Sequence, residues 1–350
     1  MILGSFVRTR SVKKAAISIK DIARKADVSH STVSRALRNS PLVNRETAER
    51  IRKIAKESDF RVSAIGRSLA TGRTNTIGVV ATSIEDPFIA EIVSGAEDAA
   101  NAQGFSVILA NSNANPDREL KVVHSLEERR VDGILVLDSR VGSVYIPVLA
   151  RMKVPIVLIN SQHPGEFVHS ISIDNPTASQ MATRYLVHLG HTRIGYLGKR
   201  GGLQSDAERS AGYRQALAAA GIPERPELLA YGDGKPEGGK NAMEQLLALP
   251  ERPTAVFCYN DLTAIGALSA IRQHGLHVPE DVSIVGFDDL AIASFTQPPL
   301  TTIRQPKYQM GRSATEMLLN LLEESIPGSV RKVQGELIVR ESAVPPRTKS

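Results

Sequence analysis

The residues best placed for chemistry fall into two groups. The first is a cluster of polar side chains between positions 29 and 38. There Val33, Ala36 and Leu37 recur at helical spacing, leaving His30, Ser31, Thr32, Ser34, Arg35 and Arg38 off the apolar stripe. An arginine near a helix N-terminus offers two parallel donors to a guanine edge. Hydroxyls beside that terminus suit phosphate oxygens. The pattern therefore points to a polyanion reader, with Arg35 on bases, Thr32 and Ser34 on phosphate, and Arg38 divided between phosphate and solvent. The competing role for Arg35 is that of a solvated surface arginine.

The second group follows apolar runs further along. Positions 83–88, 111–115, Asp174, 260–261 and 288–289 each come directly after such a run, and Arg209 lies early in a helical segment. One arginine with several carboxylates and amides can engage neighbouring hydroxyls of a polyhydroxylated molecule. Helix or turn capping is the alternative for Asp174 and Asp288. Catalytic patterns are missing. The eight histidines are scattered without metal-ligand spacing, and neither G-x-S-x-G nor a phosphate loop occurs. GKRGG at 198–202 has the wrong spacing for one. No enzyme, metal or cofactor is expected. The single cysteine, Cys258, follows Ala255, Val256 and Phe257 and reads as a packed strand residue.

Elements must hold these groups in place. Three short helices fit residues 18–59, the first opening on a capping-box-like Ser18, the second capped by Ser29 and the third starting near Asn44, with a break at Asp27 and Val28. Ile22, Ala23 and Ala26 are their expected core, with Val33, Ala36 and Leu37, and Ala48, Ile51, Ile54 and Ala55. Two short helices with a tight turn and a third as brace make a helix-turn-helix. Residues 63–74 read as a linker with a marginal helix at 64–70, which Gly66 weakens by roughly 1 kcal/mol. From position 76, apolar runs at 76–82, 105–111, 133–139, 155–160, 193–198, 228–233, 254–260 and 283–289 alternate with helical segments, including 88–103, 117–130, 176–190, 206–220 and 261–275. Runs apolar on both faces and separated by helices mean parallel sheets.

Charge supports the division. Residues 1–73 hold 17 basic and 6 acidic side chains, a net of +11, while the remainder nets −5. The basic surface is local, as a polyanion partner requires. No apolar run reaches the ~20 residues of a membrane span. The first residues lack the charge-then-apolar order of an export signal. A cytoplasmic, nucleoid-associated protein is expected.

The stretch SIKDIARKADVSHSTVSRALRNSPLVNRETAERIRKIAKESDF resembles the DNA-binding domain of the LacI/GalR family of bacterial repressors. The likeness continues through GRSLATG, IGVV, DPFIAEIVSGAEDAA, RRVDGILV, GHTRIGYLG, RSAGYRQAL, PTAVFCYND, DVSIVGFDD and PLTTIRQP, covering roughly 17–342. It implies an α/β fold: a three-helix reader (17–62), a hinge helix (63–74) and a sensor (75–342) like a periplasmic sugar-binding protein, with flanking tails at 1–16 and 343–350. The sensor would have two subdomains with parallel sheets, divided near 160–175 and recrossed near 290–306. It further implies a homodimer on near-palindromic double-stranded operator DNA, and a small effector between the subdomains. A sugar or sugar derivative is the first choice and a purine the second; control by a partner protein and a solute-binding role are further alternatives. His30 and Ser31 match positions where base contacts vary, and Leu69 matches a leucine that wedges between base pairs. Arg209, Asn260 and Asp288 match effector-contacting positions, joined by Asp174 and Gln305, and Phe88 matches one that stacks on a ring. The chain departs from the family at Asp27, often glycine, at 59–63, at Gly66, and at Gly234, where an aromatic can stand. No leucine heptads follow residue 342, so a tetramerising coiled coil is not expected.

Overall fold

The structure, a computed structural model, describes residues 17–60, 72–139, 151–160, 169–201, 204–323 and 329–347. The chain packs as two units, Met1–Thr74 and Asn75–Ser350.

The first unit contains α1 (Ile19–Ala26), α2 (His30–Leu37) and α3 (Arg45–Glu57). Each starts on a side-chain cap. Ser18 and Asp21 form a reciprocal capping box, Ser29 Oγ accepts the Thr32 N–H at 3.1 Å, and Asn44 Oδ1 accepts that of Thr47 at 2.8 Å. Each cap satisfies a donor with no intrahelical partner and is worth about 1 kcal/mol. Hydrogen bonds from Ser18 hold the Asp21 carboxyl below its ordinary range. The break after α1 is a left-handed residue, Asp27, at φ 51°. A short polar side chain tolerates that conformation, so aspartate can stand where glycine is common. Ile22, Ala23, Ala26, Val33, Ala36, Ala48 and Ile51 form the core, while Leu37 and Ile54 sit half-buried against it. The basic tail, the hinge helix and Leu69 lie outside the described residues.

Among the described residues, the second unit has two six-stranded sheets. The first runs β11-β5-β4-β3-β1-β2 and the second β12-β10-β9-β8-β6-β7. The strands are β1 (Thr76–Ala81), β2 (Ser106–Asn111), β3 (Gly133–Leu137), β4 (Ile156–Ile159), β5 (His169–Ile173), β6 (Ile194–Lys199), β7 (Leu229–Gly232), β8 (Ala255–Cys258), β9 (Ser283–Asp288), β10 (Thr301–Arg304), β11 (Val330–Val333) and β12 (Glu336–Ile338). Their pairings are parallel except β10 with β12. Helices α4 (Pro87–Ala102), α5 (Pro116–Glu128) and α10 (Lys307–Glu323) belong to the first sheet's subdomain; α6 (Asn175–His188), α7 (Gln204–Ala219), α8 (Pro236–Leu247) and α9 (Asp261–Gln273) belong to the second's. Strands β3, β4, β8 and β9 are buried throughout, which is why they read as unbroken apolar runs.

Glycines set the α4–α10 contact. A Cβ on Gly95 would lie 2.0 Å from the Tyr308 carbonyl oxygen, and one on Gly311 2.0 Å from that of Ile92. Two backbones approach that closely only where side chains are absent.

Among the described residues, three crossings join the subdomains, at Asp174, at 305–306 and at 334–335. The sequence reading expects a division near 160–175 and a recrossing near 290–306. The third exists because β11 completes the first sheet before β12 returns to the second. The crossings lie side by side: the Asp174 N–H donates to Val333 O at 2.9 Å, and Gly335 is enclosed by Ile303, Ala178 and Ile173. The expected C-terminal tail also begins later than residue 343. Ala343 is buried, and the Val344 carbonyl bonds His191 Nε2 at 2.9 Å and the Ser283 hydroxyl at 3.1 Å. Cys258 is buried, and burial pushes its thiol up.

Candidate DNA reader and effector cleft

On α2, His30, Ser31, Arg35 and Arg38 are exposed, and Thr32 and Ser34 are half-buried. The hydroxyls of Ser29, Ser31 and Thr32 form one hydrogen-bonded cluster, at 2.7 and 2.8 Å. Arg38 folds back along its own helix, donating to Ser34 Oγ at 3.1 Å and Ser34 O at 3.2 Å. Ser34, expected on phosphate, and Arg38, divided between phosphate and solvent, are thus paired with each other, while Arg35 projects from the exposed face. A residue the sequence reading missed is Arg52 on α3. It donates to Asn39 Oδ1 at 2.7 Å and so braces the end of α2. Its spacing alone carries no signal, because Asn39 is reached only across the fold.

In the second unit, polar residues at strand ends come together where the subdomains meet. Arg209, only 4% exposed, joins several of them. Its guanidinium sits 3.8 Å from the Phe287 ring centroid and 4.6 Å from that of Tyr259. Nε donates to Asn175 Oδ1 at 2.9 Å, Nη1 donates to Tyr259 O, and Nη2 is 3.9 Å from Asp288 Oδ1. Asp288 closes β9 and accepts from Gln305 Nε2 at 2.6 Å. Burial pushes its carboxyl up to about 7, with Arg209 opposing most strongly. Gln305 stands at the second crossing, 1% exposed, and its Oε1 has no hydrogen-bond partner among the described residues. A buried acceptor without a donor is costly and marks a place for one.

Other expected residues are committed elsewhere. Asp174 caps α6, accepting from Thr177 N–H at 3.3 Å and Oγ1 at 2.9 Å. Asn260 caps α9 through Thr263, and its Nδ2 donates to Gly234 O at 3.0 Å, leaving one amide hydrogen for other use. Phe88 is mostly buried within the first subdomain's apolar cluster. Gly234, at φ 82°, leaves room for the Lys199 side chain, which would stand 3.0 Å from a Cβ there.

Lys199, Tyr259 and Asn175 were not expected at the site from sequence, and Asp86 only as part of the span 83–88, although each follows or closes a strand, precedes a helix, or, for Asn175, opens one. Lys199 Nζ lies 5.4 Å from the Tyr259 ring centroid. Burial pushes the Tyr259 hydroxyl up to about 12. Burial also raises the Asp86 carboxyl, with the Phe88 N–H, Lys199 and Lys235 lowering it. Asp86 belongs to the first subdomain and the two lysines to the second, so opposite charges face each other across the cleft. The set offers guanidinium, ammonium, carboxylate and amide groups beside aromatic faces, which suits a compact polar ligand. Among the described residues no His, Cys, Asp and Glu grouping could hold a metal ion. No described helix is long and apolar enough to cross a membrane. A separate groove of about 870 Å³ runs along α9, lined by Ile265, Leu268, Arg272, Leu276, Val278 and Pro298.

A capped three-helix reader attached to a two-sheet binding unit defines the class: a helix-turn-helix regulator with a binding-protein-like sensor. Known proteins agree. The family profile "Bacterial regulatory proteins, lacI family" matches residues 18–63, and "Periplasmic binding protein-like domain" matches 183–343. The chain is 39% identical over 331 residues to the HTH-type transcriptional repressor CytR of Escherichia coli (strain K12), covering 94% of this chain and 97% of that one. It is 37% identical to the repressor PurR of Erwinia tasmaniensis, covering 87% and 89%. Among solved structures, the lac repressor dimer bound to operator and the anti-inducer ONPF superposes with TM-score 0.87 at 27% identity, covering 94% and 99%. The CelR–cellobiose complex superposes with TM-score 0.72 at 31% identity, covering 93% and 100%. This chain belongs to the lacI family of bacterial regulatory proteins and is a transcriptional repressor with an effector-binding domain.

Proposed function

We propose that this repressor binds a near-palindromic operator as a cytoplasmic dimer, without catalytic activity, and senses a sugar or sugar derivative in the cleft between its sensor subdomains. The observation behind the sensing role is the buried trio Arg209, Asp288 and Gln305. A charge pair and an orphan acceptor meet there at a crossing between subdomains. Hydroxyls can donate to Gln305 Oε1 and Asp288 and accept from Arg209, and the solved relatives include a cellobiose complex and a ribose-bound regulator. Effector and operator affinities are then linked through closure, in equal and reciprocal measure.

The dimer reading draws on exposed apolar surface. Phe295 is 80% exposed and Ile292 47%, next to the α9 groove. Edge strand β2 leaves Ile108 and Leu109 exposed as well. A second copy would cover these surfaces by a two-fold contact.

A thermal-shift screen against sugars, sugar acids, nucleosides and purines tests the sensor. A stabilising sugar whose effect vanishes in Arg209→Ala supports the reading. A response to purines alone would replace the ligand class, and a stabilisation that survives Arg209→Ala would refute the assigned site.

A further inference from the structure

Lys307 is an unusual residue to open a helix in a crevice. It is the first residue of α10, yet it is 2% exposed. A buried ammonium is tolerated only if its donors are matched. Three acceptors surround it. Nζ donates to Asp288 O at 2.6 Å and to Asp289 O at 2.9 Å, and lies 3.3 Å from Glu91 Oε2. The two carbonyls come from the end of β9 in the second subdomain, whereas Lys307 and Glu91 stand on α10 and α4 of the first. One buried charge therefore bonds both sides of the cleft.

The backbone it grips is strained. Asp288 and Asp289 have φ 119° and 50°, conformations that non-glycine residues rarely adopt. The side chains of this turn go three ways. Asp288 faces Arg209 and Gln305. Asp289 is anchored inside the second subdomain by Arg304 at 2.7 Å and Arg340 at 2.6 Å. Leu290 enters the first subdomain's apolar cluster with Phe88, Ile89 and Ile92. The cleft carboxylate and both subdomains thus share three consecutive residues.

We infer that Lys307 is the pin between the sensor subdomains, a positioning residue that ties the Asp288–Asp289 backbone to α4 and α10 and so passes a displacement at Asp288 into the first subdomain. The effector's place at Asp288 rests on the proposed function. The pin itself does not, since it concerns the ligand-free protein. If the turn moves while Lys307 stays, the ammonium loses acceptors in a buried place, so turn, α10 and α4 move together. The relation is mechanical coupling through one two-sided contact, with a discrete penalty for breaking it.

Pulsed electron–electron spin resonance on the full-length, ligand-free protein tests this. Nitroxides are placed at exposed positions on the two subdomains, Lys121→Cys and Asn241→Cys, in a background whose own cysteine is buried. Labelled protein is diluted into excess unlabelled protein, so that distances within one chain dominate. Lys307→Met keeps the aliphatic stem and removes the donors; it is expected to shift or broaden the inter-subdomain distance by more than the wild-type width. Arg340→Met, which loosens the same turn only within the second subdomain, is expected to lower the melting temperature and leave the distance unchanged. An unchanged distribution in Lys307→Met, or equal broadening in both variants, overturns the assignment. Should Lys307→Met fail to fold, Lys307→Gln, a shorter and neutral side chain, carries the test: broadening supports the pin and an unchanged distance overturns it.

Discussion

Replacing Asp288 with asparagine keeps shape and hydrogen-bonding capacity and removes the charge. An aspartate ordinarily titrates near 3.9. In the fold, burial lifts Asp288 to about 7, against the pull of Arg209. A folded value above the unfolded one means that the native state holds the proton more tightly. The associated stability is therefore complete below about pH 4 and is lost as pH rises toward and through about 7. At about 1.4 kcal/mol per pH unit, ionising this one group removes roughly 2–3 kcal/mol between pH 5 and pH 8. Asp261, Asp86 and Asp206 are also raised, chiefly by burial, so the wild type carries further slope of the same sign. The difference between the wild-type and Asp288→Asn profiles isolates the one residue. Relief of repulsion on its coupled neighbour Asp261 acts in the same direction. The chain lacks tryptophan, so urea unfolding is followed by far-ultraviolet circular dichroism at pH 5, 6, 7 and 8. The advantage of Asp288→Asn over the wild type should grow by roughly 2–3 kcal/mol between pH 5 and pH 8. Parallel profiles would refute the argument that Asp288 is a buried carboxylate retained against stability, as expected of a binding residue.

Two further outcomes follow from the geometry. Ser29→Ala removes the α2 cap that Thr32 N–H uses; it should cost the reader about 1 kcal/mol, seen as faster amide exchange in 30–37 with the sensor unaffected. Phe295→Asp places a charge on a largely exposed ring position; sedimentation equilibrium should then find a monomer of 37.8 kDa where the wild type gives twice that mass, and an unchanged mass would remove Phe295 from the dimer contact.

The reader was legible in the sequence because its signals are local. Ser18, Ser29 and Asn44 each lie within three residues of the donors they cap. The buried strands were legible because both faces are apolar. Strands β5, β10, β11 and β12 were missed for the opposite reason. HSISI and TTIR mix polar residues into buried positions, and VRKV is largely exposed. Helix α8 begins with PEGG, and α10 holds Gly311 against Ile92, so close packing lowers the helical signal it depends on. At the proposed site, residue types marked polar groups that follow strands. Their partnerships did not follow, since Asn260 and Asp174 spend their side chains on caps while Asn175, Tyr259 and Lys307 meet Arg209 and Asp288 only through long-range folding. The third crossing was invisible because it depends on which sheet a short exposed strand joins.

Sequence-specific reading of DNA by α2 underlies the proposed function. Its most direct test is fluorescence anisotropy of the full-length protein on a duplex selected from a random library, against an unselected duplex, over a range of salt concentrations. Binding should be tighter to the selected duplex, affinity should fall steeply with salt, and Arg35→Ala should lose about 5- to 150-fold on that duplex alone. Equal affinity for both duplexes, or an Arg35→Ala variant that binds the selected duplex as the wild type does, would contradict it.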